Sequence, residues 1–71
     1  MRHTFLETLQ TRRLIADIRR VVEILNADIA QEEASAGVSD PTKPGYPILA
    51  QSLIARRQNL ESTLTELEER V

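Results

Sequence analysis

Three arginine pairs are the residues of this 71-residue chain with the most chemical reach: Arg12-Arg13, Arg19-Arg20 and Arg56-Arg57. A guanidinium offers a planar fork of donors that grips carboxylate or phosphate through paired hydrogen bonds. Repeated along a helix, such pairs would suit a nucleic-acid backbone or a small anion. The charge balance speaks against nucleic acid, since 9 basic residues are set against 11 acidic ones, for a net charge of −2. Stacking aromatics are scarce as well, only Phe5 and Tyr46.

Other reactive constellations are not found. The chain has no cysteine, which removes disulfides and thiolate metal sites, and its one histidine, His3, has no second histidine to share a metal with. No Glu-x-x-His of the di-iron bundle kind occurs, and the Lys43–Pro47 stretch KPGYP matches no phosphate loop. The neighbouring carboxylates Glu32-Glu33 and the Glu66–Glu69 run ELEE read as solvated helix ends. These observations give no catalytic residues, no metal ligands and no cofactor. The enzymatic version that can be sketched is a helical-bundle lyase or mutase holding an anionic substrate on arginines.

The elements that would position the arginines are two helices. Thr4 and Glu7 have the spacing of a capping box, and no glycine or proline follows before Gly37, so a helix is expected at about residues 4–34. A linker at about 35–46 follows. The stretch SAGVSDPTKPGYP, residues 35–47, contains both glycines and all three prolines of the chain. Pro47 suits the first turn of a second helix, expected at about 47–70. No period-2 alternation marks a strand. No signal-peptide core or membrane-length apolar run is seen, so a soluble cytoplasmic protein without membrane contact is expected.

Apolar spacing gives each helix a face. Ile15, Ile18, Val22, Leu25 and Ile29 form a stripe on the first helix. Toward the N-terminus that stripe meets Thr11, Thr8 and Thr4, while Phe5, Leu6 and Leu9 move to roughly the opposite side. Leu14 and Val21 widen one flank. On the second helix the stripe is Tyr46, Leu49, Leu53, Leu60, Leu64, Leu67 and Val71, with a gap after Leu53 that Arg56 and Arg57 straddle. Arg56 is expected close to the stripe's centre, at a seam between chains, either snorkelling to the rim or held by an acid such as Asp28 of another copy or by a bound anion. Tyr46 is expected to cap the end of the helix pair.

The expected fold is an all-α antiparallel two-helix hairpin. With the turn centred near Asp40, Arg12 would face Glu68, Arg19 would face Glu61 and Glu23 would face Arg57. Arg13 would reach Asp17 one turn on. On this reading one arginine of each early pair lines the hairpin rather than a ligand. A core this small ordinarily needs reinforcement, and without cysteine or metal the remaining route is association. Phe5, Leu6, Leu9, Leu14 and Val21 are the candidate contact residues of a homodimer, expected to be a four-helix bundle. The function expected is a self-associating interaction or assembly module, with another protein as a further possible partner. The alternative is binding of a small anion or nucleic acid through bundle arginines, above all Arg56 and Arg57.

Overall fold

The computed structural model describes residues 5–71 and consists of two α-helices, α1 (Phe5–Ala36) and α2 (Ile48–Glu68), with no strand among the described residues. They pack against each other as an elongated hairpin with extents of 50 × 17 × 12 Å. The capping box proposed for the start of α1 depends on Thr4, which lies outside the described residues. Within α1 no glycine or proline interrupts 32 residues rich in alanine, leucine, arginine and glutamate, all good helix formers.

Gly37 ends α1. Its φ of +70° is left-handed, and three backbone bonds close the last turn: Gly37 N to Glu33 O (2.9 Å), Gly37 N to Ala34 O (3.3 Å) and Val38 N to Glu33 O (3.3 Å). This is a Schellman ending, which satisfies carbonyls that the helix leaves without partners. Two turns then reverse the chain. In the first, Lys43 N donates to Asp40 O (3.0 Å), with Pro41 at the second position. The Asp40 carboxylate accepts from Thr42 N (2.9 Å) and Thr42 Oγ1 (2.7 Å). Those bonds, the backbone one foremost, hold the Asp40 carboxyl below its usual range. In the second, Tyr46 N donates to Lys43 O (3.4 Å) across Pro44 and Gly45. Gly45 has φ +85°, as the third position of a type II turn requires.

Pro47 stands at the N-cap of α2, extended at φ −61° and ψ 132°, so the helix begins one residue later than expected. Proline fits this boundary because its ring sets φ and its missing N–H needs no partner. The connection from Ala36 to Ile48 is therefore centred at Thr42 rather than Asp40.

The core lies between the helices. Ile15, Ile18, Leu25 and Ile29 of α1 are buried, as are Tyr46 and Ala50 of the second half. Val22 is half-buried on the same α1 stripe. On α2 the seam runs Tyr46, Ala50, Leu53, Arg57, Leu60, Leu64, Leu67, alternating steps of four and three. Leu49, expected in that stripe, is 53% exposed, and Val71 is 51% exposed. Alanine at position 50 is fully buried (0% exposed), and its small side chain allows close helix approach.

Candidate interaction surface

Arg57, not Arg56, fills the gap in the α2 stripe. The alternation of four and three that includes Ala50 assigns position 57 to the seam, whereas counting from Leu49 assigns position 56. Arg56 is exposed, while the Arg57 side chain is 29% exposed. Arg57 Nη1 donates to Asn26 Oδ1 on α1 (2.8 Å), and its Nε lies 3.9 Å from Glu61 Oε1. The guanidinium thus bridges the helices. Consecutive helix positions diverge by about 100°, so Arg56 and Arg57 leave α2 in different directions.

The charged flank is displaced from the expected register. Arg19 pairs with Glu68 rather than Glu61. Arg57 meets Asn26 rather than Glu23. Moving the centre of the connection to Thr42 shifts each opposed pair by about four residues, roughly one helical turn. Long side chains reaching along the axis account for the remaining offset. Arg12 has no ion pair among the described residues, and Asp17 lies 3.6 Å from Arg20 Nη1 rather than beside Arg13. With side chains 60% and 40% exposed, the Arg19–Glu68 pair contributes on the order of 0.2–1 kcal/mol and favours orientation more than stability.

The connection end is closed by Tyr46. Its ring is buried, and its hydroxyl donates to Glu33 Oε2 (2.7 Å) in the last turn of α1. That bond is the main reason the phenol is pushed up to about 12; burial and the negative charge of Glu33 add to it, and Arg57 opposes it. Tyr46 ties the start of α2 to the end of α1. A hollow of about 300 Å³ beside it is lined by Gly37, Val38, Ser39, Asp40, Lys43 and Pro44. No group of three or more His, Cys, Asp or Glu side chains among the described residues is placed to hold a metal ion.

The other end is open. Glu68, the last residue of α2, is paired with Arg19, and α1 continues toward Phe5 with no buried residue before Ile15. Phe5 is 81% exposed and Leu6 62%, and Leu9 and Leu14 are also exposed. Val21 is half-buried. The structure adds Ile24, 53% exposed, which was not singled out from the sequence because it lies off the α1 stripe. Its spacing from Leu14 and Val21 is the signal that would have revealed it, since steps of seven and three keep the three on one side of a helix. Thr8 and Thr11 occupy the inner stripe at this end, and the Thr11 hydroxyl turns back to Glu7 O (3.0 Å). The open end therefore presents its apolar side chains away from the α2 seam.

No family model, curated protein or solved structure matches the chain. No helix among the described residues is long and apolar enough to cross a membrane.

Proposed function

We propose that the protein is a self-associating helical hairpin that serves as an assembly module, two hairpins joining into a four-helix assembly. The observation that supports this is the exposure of Phe5, Leu6, Leu9, Leu14 and Ile24 on a chain whose own seam buries six residues. Isolated exposed apolar side chains are ordinary, but here Phe5, Leu6 and Leu9 at the start of α1 and Leu14 and Ile24 further along it are exposed on one helix, which favours association. The intramolecular core is also slight for a folded unit, and a second hairpin would extend it.

Association of this kind makes folding depend on concentration. Helicity and melting temperature should fall together on dilution from the micromolar to the nanomolar range, with sedimentation equilibrium reporting dimer and then monomer. A monomer whose melting temperature is independent of concentration would overturn the proposal. The anion-binding reading gains no support from the arginines: Arg57 is engaged with Asn26 and Glu61, and Arg56 stands apart from it.

A further inference from the structure

We infer that the second copy docks antiparallel along α1, about a two-fold axis close to Ile15, with Arg13 of each chain against Asp17 of the other. This rests on the self-association proposed above and specifies its surface. At about 100° per residue, Leu6, Leu9 and Ile24 fall on the side of α1 away from the α2 seam, and Leu14 and the half-buried Val21 lie between them and the seam, completing an arc of roughly 140°. Leu6, Leu9, Gln10 and Arg13 line a shallow depression of about 420 Å³ on it. Arg13, Asp17 and Arg20 run along the middle of the arc, all exposed.

The order of residues on this strip is close to a palindrome. An isologous antiparallel contact sets each residue against the one equally far on the other side of the axis, and makes every contact twice. Around Ile15, Leu6 and Ile24 are equidistant and both lie on the centre line of the strip, so leucine meets isoleucine at each end. Leu9 and Val21, six residues either side, lie on different edges, and Arg13 and Asp17, two either side, give two opposite-charge contacts, Asp17 also lying 3.6 Å from Arg20 of its own chain. Gln10 falls opposite Arg20, a neutral acceptor facing a cation. The Leu14 side chains of the two copies approach each other on one edge near the axis. A parallel arrangement in register would instead set Arg13 against Arg13 and Asp17 against Asp17, which like-charge repulsion disfavours. Charge complementarity therefore selects a second copy of this chain, antiparallel, with the α1 helices inside and the α2 helices outside.

The test uses two variants at exposed positions, Arg13→Asp and Asp17→Arg. Either change alone puts like charges together at both contacts, so each variant should self-associate at least about tenfold more weakly than the wild type by sedimentation. Mixed in equal amounts, the two variants set two aspartates at positions 13 and 17 against two arginines at the same positions and should recover association. The double variant Arg13→Asp/Asp17→Arg should also recover it. Circular dichroism of each chain at high concentration establishes that the hairpin is formed. If the wild type dimerises but the single variants match it, or the mixture does not recover, the antiparallel register is overturned while self-association stands. A monomeric wild type overturns both.

Discussion

Arg57→Leu is the substitution whose outcome the seam geometry determines most directly. The side chain is 29% exposed at a seam position, so a leucine there would be roughly 70% covered. Full burial of a leucine is worth about 1.5–3 kcal/mol, which scales to about 1–2 here. Two interactions are lost against this gain: the 2.8 Å bond to Asn26 and the 3.9 Å approach to Glu61, both among exposed partners. Together they contribute on the order of 0.5–1 kcal/mol. Asn26 is exposed and turns to water, so no buried group is stranded. The net expectation is stabilisation by about 0.5–1 kcal/mol, or a few degrees in melting temperature for a chain of this size. Urea and thermal unfolding at one fixed protein concentration read it. Sedimentation alongside is required, because a leucine at this heptad position also alters the oligomer preference. Asn26→Ala should remove the bond without adding burial, and because alanine's better helix propensity offsets about 0.5 kcal/mol, stability should change by less than about 0.5 kcal/mol. A fall of more than about 1 kcal/mol for Arg57→Leu would refute the reasoning, since the polar bridge would then outweigh burial.

Gly45→Ala should destabilise the hairpin by about 1–2 kcal/mol, measured by urea unfolding. A Cβ at Gly45 would meet nothing within 4 Å, so the cost comes from the left-handed φ of +85° alone. Tyr46 gives a pH signature: its folded pKa is raised from 10.0 to about 12, so the folded state holds that proton more tightly. Its contribution is fully present below about pH 10 and is lost as pH rises through 12. Tyr46→Phe should flatten the alkaline limb of stability over that window, and phenolate absorbance should titrate late in the wild type.

Much of the architecture is legible in the sequence because it follows from local chemistry. A chain interval free of glycine and proline and the breaker-rich linker after it act through nearest neighbours, although α1 runs to Ala36, two residues past its expected end, and the inner isoleucines of α1 are marked by their spacing. The Tyr46 cap is legible for a similar reason, since a lone large aromatic at the hairpin end has few places to go. The α2 seam is harder, because Leu49 and Ala50 compete for one inward position and hydrophobicity alone favours leucine. Backbone proximity decides for alanine, and the choice carries Arg57 inward and Arg56 out. The charge register fails for a different reason. It depends on the connection's centre, and a shift of two residues there moves every opposed pair by about one turn. Ile24 was passed over because it belongs to no stripe that packs within the chain.

The difference between the two ends of the hairpin also sets how the molecule would yield to force. Phe5 and Val71 lie toward the open end, while Tyr46, Glu33 and the Gly37 stop secure the other. A load applied across those two residues peels the helices apart from the open end, breaking contacts in succession rather than together. The weak threonine layers give first and the tyrosine latch last. In an assembly built through α1, such a hairpin would behave as a compliant link that extends gradually and closes again from its turn.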